Sequence, residues 1–169
     1  MKIAIIVHSS TGTTRKFADR IAVKLSADGH DVKVTQLETD VPVTSGSTRK
    51  CREFRITNLP DIKACDVVLF GGPVWGFSAS PIIIACIEAF DDLQGKRVLP
   101  FVTQGFPFAF MGGNQAKGVM GKRAAGKKAT VLRGVVINRL FHDIDSDMEK
   151  AAGQISSMLK TAASDKPRR

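Results

Sequence analysis

Short unbroken apolar runs along this chain alternate with stretches in which apolar residues return at every third or fourth position. Ile3 to Val7 is the first run, and its lack of polar alternation is that of a strand covered on both faces. Phe17, Ala18, Ile21, Ala22 and Leu25 then mark one face of a helix that Asp28-Gly29 closes. Val32 to Leu37 returns to strand. The alternation continues with a strand at Asp66 to Phe70 and a helix with Ser80 as cap, Pro81 as first residue and Ile82 to Phe90 as its apolar face. A strand at Arg97 to Thr103 follows, then a helix at Asn114 to Ala125 ended by Gly126 and a strand at Thr130 to Ile137. The last helix runs from Ser146 to Leu159, with Ser146 and Glu149 at capping-box spacing.

Two places disturb this rhythm. Pro100 stands inside the fourth strand and predicts a distortion there, because proline has no amide to give to a ladder. Asp40 to Lys63, with Pro42, Ser45-Gly46-Ser47 and Pro60, reads as a long connection holding one short helix. The alternation as a whole predicts an α/β fold, a three-layer, doubly wound, five-stranded parallel sheet. The 169 residues suit one domain over 1–163, leaving a basic tail at 164–169.

Ligands of such sheets sit beyond the carboxyl ends of the strands. Three loops meet there: Ser9 to Thr14, Pro73 to Phe77, and Thr103 to Phe108. The first is a hydroxyl-rich turn, Ser9-Ser10-Thr11-Gly12-Thr13-Thr14, between a strand and a helix. The first helical turn leaves amides unpaired, and these with the positive end of the helix dipole make an anion site suited to a phosphate monoester. The same hydroxyls also suit a plain helix cap. With no lysine and one glycine, the turn is neither a triphosphate-binding loop nor a dinucleotide fingerprint. His8, Ser9, Gly12 and Arg15 fall at the spacing of a tyrosine-phosphatase loop, but serine in place of the cysteine lacks the low thiol pKa which that chemistry needs.

Trp75, the only tryptophan, occupies the second loop, where a planar ligand could stack on it. Taken together, the turn and Pro73-Val74-Trp75-Gly76 resemble the phosphate loop and the flavin-stacking loop of the flavodoxin-like flavoproteins. The resemblance covers nearly the whole chain and implies the sheet order 2-1-3-4-5 with FMN as cofactor. It further implies that Ser9, Thr11, Thr13, Thr14 and the backbone around Ser10 and Gly12 hold the FMN phosphate. Pro73, Val74, Trp75, Gly76 and Phe77 would border one side of the isoalloxazine ring, and Thr103, Gln104 and Gly105 its pyrimidine end. The Gly76 peptide would be free to turn its carbonyl toward the reduced ring. Many relatives cover the second flavin face with a tyrosine. This chain has none, which leaves that face to Phe106 or Phe108, or open to a substrate.

Charge bears on partners. The net charge is +9, with basic clusters at Arg49-Lys50-Cys51-Arg52, Lys122-Arg123, Lys127-Lys128 and Lys166-Pro167-Arg168-Arg169. These lack interleaved aromatics and any recognition motif, so no nucleic-acid partner is expected. Flavodoxin-type carriers are usually acidic, so the basic balance tilts the reading toward an enzyme that passes electrons from NAD(P)H to a quinone or another small acceptor. The alternative is a non-catalytic carrier between protein partners, here with an acidic redox protein. Cys51, Cys65 and Cys86 have no disulfide or zinc spacing, and Cys65 and Cys86 read as core residues. Asp143-Ile144-Asp145-Ser146-Asp147 opens like a calcium loop, but Met148 and Gln154 replace its glycine and glutamate. His30 and His142 are isolated in sequence. No apolar run approaches the roughly 18 residues of a membrane span and Ile3 to Val7 is too short for a signal peptide, so a cytoplasmic location is expected.

Overall fold

The computed structural model describes residues 1–45, 53–141 and 143–164. Its elements are β1 (Lys2–Val7), α1 (Thr13–Ala27), β2 (Asp31–Gln36), β3 (Val67–Trp75), β4 (Ser78–Ala79), α2 (Pro81–Ala89), β5 (Arg97–Gln104), α3 (Gly113–Gly126), β6 (Thr130–Val131), β7 (Val135–Asn138) and α4 (Ile144–Ser164). β2, β1, β3 and β5 lie side by side in parallel, and β6 and β7 share the position outside β5. By position this is the doubly wound order 2-1-3-4-5.

Alternate residues of each strand point to opposite layers. Ile3, Ile5, Val7, Leu69, Leu99 and Phe101 pack with Phe17, Ile21 and Leu25 of α1 and Met148 and Ile155 of α4. Ala4, Ile6, Val68, Phe70, Val98 and Val102 pack with Ile83 and Ile87 of α2 and Met120 of α3. Apolar side chains on both faces explain the unbroken runs in the sequence. Cys86 is buried in the second of these cores and Cys65 is half-buried beside it.

The distortion expected at Pro100 falls on its neighbour. β5 continues unbroken from Arg97 to Gln104, with Pro100 opposite Phe70. On the outer side Val98 pairs with Val131 and pairing resumes only at Phe101 and Val135, so Leu99 and Pro100 face three residues. The edge strand therefore bulges by one residue where proline has no amide to offer. Gly134 fills the space against the proline, where a Cβ would stand 2.7 Å from the Pro100 carbonyl oxygen. The single strand expected at Thr130 to Ile137 is for this reason split into β6 and β7.

β3 also runs past its expected end at Phe70. Gly71, Gly72 and Pro73 pair with Phe101, Val102 and Thr103, and the strand then folds back onto β4. Only two residues, Gly76 at φ 54 and Phe77 at φ 64, separate the paired Trp75 and Ser78. Positive φ at both positions is the signature of a type I′ hairpin turn. Glycine takes this conformation freely, whereas a residue with a side chain gives up about 1–2 kcal/mol.

α4 begins at Ile144, before the expected Ser146. The Asp143 carboxylate accepts the Ser146 N–H at 3.2 Å, so the capping role moves to Asp143. Asp145 turns to Lys16 at 2.6 Å and Arg20 at 2.7 Å, tying α4 to α1. The connection after β2 is clasped where Asp40 N–H donates to the Arg55 carbonyl and Arg55 N–H to the Asp40 carboxylate. No α-helix is formed by the described residues of that connection, 40–45 and 53–63, where the sequence predicts one short helix. Arg49-Lys50-Cys51-Arg52, His142 and the tail from Asp165 to Arg169 lie outside the described residues. Among the described residues no helix is long and apolar enough to cross a membrane.

Candidate functional site

The carboxyl ends of β1, β3 and β5 converge on one cleft. Val7 ends β1, and His8 remains tied to β3 through its N–H to the Gly71 carbonyl at 2.9 Å. The chain turns through Ser9 to Gly12 and enters α1 at Thr13. Gly12 sits at φ 82 with nothing within 4 Å of where a Cβ would stand, so backbone conformation and not crowding selects glycine. Ser9 Oγ accepts the Arg15 N–H at 3.2 Å, and the Lys16 N–H reaches the Gly12 carbonyl at 2.8 Å. The N–H groups from Ser10 to Thr14 have no hydrogen-bond partner among the described residues. They form the donor-rich mouth of a helix N-terminus.

Side chains fix this mouth to its neighbours. Thr14 Oγ1 and Thr103 Oγ1 share a buried hydrogen bond of 2.7 Å, locking the turn to the end of β5. Thr11 and Thr13 hydroxyls lie 3.4 Å apart and remain exposed or half-exposed. His8 is the main brace. Its Nδ1 lies 2.8 Å from Ser80 Oγ, its Nε2 3.4 Å from Ser10 Oγ, and its ring meets Trp75 in a T-shaped contact at 5.0 Å. Burial lowers the His8 pKa to about 4, so the imidazole is neutral near pH 7. Ser80 Oγ also accepts the Ile83 N–H at 3.4 Å as cap of α2. One side chain thus joins the hydroxyl turn, Trp75 and the start of α2.

Gln104 organises the third loop. Its Nε2 donates to the Phe108 carbonyl at 2.7 Å and to Asn138 Oδ1 at 2.7 Å, with the Phe106 carbonyl at 3.4 Å. Its Oε1 has no hydrogen-bond partner among the described residues and lies against Gly113, where a Cβ would come within 2.8 Å.

Of the expected site residues, Ser10, Thr11, Thr13, Thr14, Pro73, Val74, Trp75, Thr103, Gln104 and Gly105 line the cleft together. Ser9 faces the helix amide, Gly12 edges a neighbouring groove along α1, and Gly76 and Phe77 form the hairpin turn beside the cleft. Phe106 stacks on Phe77 at 5.7 Å and Phe108 on Phe110 at 5.5 Å; neither lines the cleft. Arg15 spends its Nε on Asp19 at 2.8 Å and lies along α1, away from the place a phosphatase arginine would take.

Arg139 was missed in the sequence. It lines the cleft and is the one charged side chain among the described residues that do so. Its position just past the fifth strand, level with the other three loops, was the signal that could have found it.

Residues 2–119 match the family model described as Flavodoxin. The chain belongs to the flavodoxin family. A search of curated proteins finds no match. Among solved structures, Flavodoxin 2 from Bacillus cereus is 22% identical with a TM-score of 0.70, covering 95% of this chain and 99% of that one. Flavodoxin 1 from the same organism is 18% identical with a TM-score of 0.66, covering 95% and 98%. A flavoprotein from Lactobacillus acidophilus NCFM, solved in complex with FMN, is 18% identical with a TM-score of 0.65, covering 88% and 97%. At these identities the likeness is one of fold, and the family assignment rests on the sequence match.

Proposed function

We propose that this flavodoxin-family protein holds FMN in the cleft and transfers electrons between redox partners. The observation that carries the reading is the convergence of unpaired amides from Ser10 to Thr14 with Trp75 and the end of β5. These groups fit a flavin mononucleotide. The amides and the hydroxyls of Ser10, Thr11 and Thr13 suit the phosphate, and no carboxylate among the described lining residues opposes it. Thr14 and Thr103 set the depth of the turn through their shared hydrogen bond. Trp75, steadied by His8, offers a ring to one flavin face, and Gly105 and Gln104 border the opposite loop. Bound FMN supplies the one- and two-electron chemistry, and the protein supplies binding, orientation and electrostatics.

The purified protein is expected to be yellow and to keep FMN through dialysis. FMN added to the stripped protein is expected to quench the fluorescence of Trp75, which is unambiguous as the only tryptophan. A colourless protein whose tryptophan ignores FMN would overturn the assignment.

Exposed phenylalanines beside the cleft favour protein partners and hence a carrier. A second reading, oxidation of NAD(P)H with a quinone or other small acceptor, is favoured by Phe106 and Phe108 standing outside the cleft lining, which would leave the second flavin face open to a small molecule. Steady oxidation of NADPH by a quinone in the presence of the yellow protein would select the enzyme; its absence selects the carrier.

Gly76→Ala tests how the hairpin turn tunes the cofactor. A Cβ at Gly76 meets nothing within 4 Å, so the substitution acts through the backbone at φ 54 alone. We expect FMN to stay bound while the midpoint potentials move by tens of millivolts, the redox equivalent of about 1 kcal/mol. Potentials equal to wild type, measured by equilibrium reduction against a reference dye, would remove Gly76 from the tuning role.

A further inference from the structure

We infer that Phe77, Phe106, Phe108 and Phe110 form a docking platform for a protein redox partner whose contact face is apolar at its centre and carboxylate-rich at its rim. The inference rests on the electron-transfer reading above and adds to it the surface and chemistry of the partner.

The four rings are 54%, 43%, 56% and 76% exposed. Single exposed apolar residues are ordinary, but here four large rings come from two adjoining loops. They lie in two stacked pairs, Phe77 with Phe106 at an interplanar angle of 10° and Phe108 with Phe110 at 5°. Their backbone is held firmly. Gln104 donates to the carbonyls of Phe106 and Phe108, the Met111 N–H to the Phe108 carbonyl and the Asn114 N–H to the Ala109 carbonyl. Gly112 presses against the Phe77 backbone, where a Cβ would stand 2.9 Å from the Phe77 Cα. The platform is therefore one preorganised block.

Phe77 carries a second, independent sign. It takes the left-handed conformation at a turn position that glycine or asparagine fills at lower cost, and it does so with a ring left half in water. Neither the turn nor the core gains from that choice. Strain kept without burial points to use of the exposed ring.

Charge selects the occupant. Phe77 and the loop from Phe106 to Phe110 lie in segments with no acid between Asp66 and Glu88 or between Asp92 and Asp143. Arg139, whose N–H donates to the Gln104 carbonyl at 3.0 Å, is a cation beside them, whereas Lys96 and Arg97 lie at the opposite end of β5 and Arg123, near the end of α3, is paired with Glu88. Both segments that build the platform are thus free of carboxylates. A partner with a carboxylate rim is drawn to such a surface, and a basic one is repelled. A second copy of this chain would bring the same sign of charge to the contact. A small planar acceptor would be expected in a concave site, whereas none of these four rings lines the cleft.

The test is stopped-flow electron transfer from the dithionite-reduced, FMN-loaded protein to an acidic b-type cytochrome, a basic c-type cytochrome and ferricyanide. Wild type is expected to reduce the acidic cytochrome about tenfold faster than the basic one at low ionic strength, with the advantage fading as salt rises. Phe108→Ser with Phe110→Ser changes two exposed rings outside the cleft. This double variant is expected to lose about tenfold or more toward the acidic cytochrome while keeping FMN affinity, visible spectrum and ferricyanide rate. Equal rates for variant and wild type, or a preference for the basic cytochrome, would overturn the proposal. So would a matching loss toward a small quinone, which would make the rings a small-molecule site, or a dimer that the variant dissolves. Calorimetric titration with the oxidised acidic cytochrome reads docking without the flavin. Binding that depends on the two rings in a colourless protein would sustain the platform and sink only the FMN assignment.

Discussion

Replacing Gly71 by alanine is expected to destabilise the fold by about 3 kcal/mol or more, the upper end of what overpacking a core usually costs. An alanine Cβ there would stand 2.1 Å from Phe101 Cζ, 2.3 Å from Cε2 and 2.8 Å from Cε1. The ring has nowhere to go. Phe101 is fully buried and meets Phe17 in a T-shaped contact at 5.3 Å, so moving it displaces α1 as well as β3. Close-packed interiors pass such strain on instead of absorbing it. The Gly71 carbonyl accepts the His8 N–H, so the strain also reaches the foot of the hydroxyl turn. For a domain of this size the melting temperature is expected to fall by roughly 6–12 °C. Gly72→Ala is the control, because its Cβ would meet nothing closer than Ile83 Cγ2 at 3.1 Å, with Ile83 Cβ at 3.4 Å and Ser80 Oγ at 3.5 Å, and a shift of a few tenths of an ångström relieves it. Thermal melts of the two variants decide the point. A Gly71→Ala protein that melts with wild type would mean that β3 and β5 are not in the register described, and Phe101→Leu added to Gly71→Ala is expected to recover part of the loss.

The same glycine shows where the sequence was legible and where it was not. Runs such as Ile3 to Val7 identify strands because a parallel strand buried on both faces needs apolar residues at every position. Gly71-Gly72-Pro73 reads as loop on local grounds, yet it is strand paired with β5, and the volume that Gly71 leaves without a side chain is filled by Phe101, 30 positions further on. Pro100 identifies a distortion correctly in kind, while the strand that bends is decided by which neighbour needed the missing amide. Ser146 satisfies the pattern of a capping box, but Asp143 lies earlier and accepts the N–H of Ser146 itself, which places Ser146 inside the first turn. For the site, the hydroxyl turn and Trp75 are legible because each is a local chemical statement: donors before a helix, a large ring at a strand end. The braces that make them one cleft are pairs 72 and 89 residues apart, His8 with Ser80 and Thr14 with Thr103, and local pattern carries no trace of them.

Those braces lead to the second large effect, which acid exposes. The pH dependence of His8 follows from its burial. Its folded pKa of about 4 lies below the ordinary value of 6.5 because the charged form loses its hydration. The unfolded chain therefore takes up the proton first. The stability that the neutral ring allows is fully present above about pH 6.5 and is lost as pH falls toward 4, at about 1.4 kcal/mol per pH unit and about 3 kcal/mol in all. Geometry gives the loss a local address. With Nδ1 accepting from the Ser80 hydroxyl and Nε2–H facing Ser10, the neutral ring satisfies both contacts while Ser80 still caps Ile83. A proton on Nδ1 reverses that bond and forces Ser80 Oγ to accept from both sides, beside Trp75 and with little water to help. The hydroxyl turn and the Trp75 hairpin are then expected to part before the sheet yields. Asp28, lowered to about 2 by its hydrogen bonds to Ser156 and Lys160, loses its contribution only as pH falls from about 3.8 toward 2, so the two windows separate. Urea midpoints measured at intervals from pH 7 to pH 4.5 are expected to fall steeply in wild type and to fall much less in His8→Gln, which keeps polar contacts but has no proton to gain. Trp75 fluorescence followed through the same titration is expected to change with the wild-type midpoint of the cleft. Parallel slopes in the two proteins would assign the acid sensitivity elsewhere and leave His8 as a brace alone.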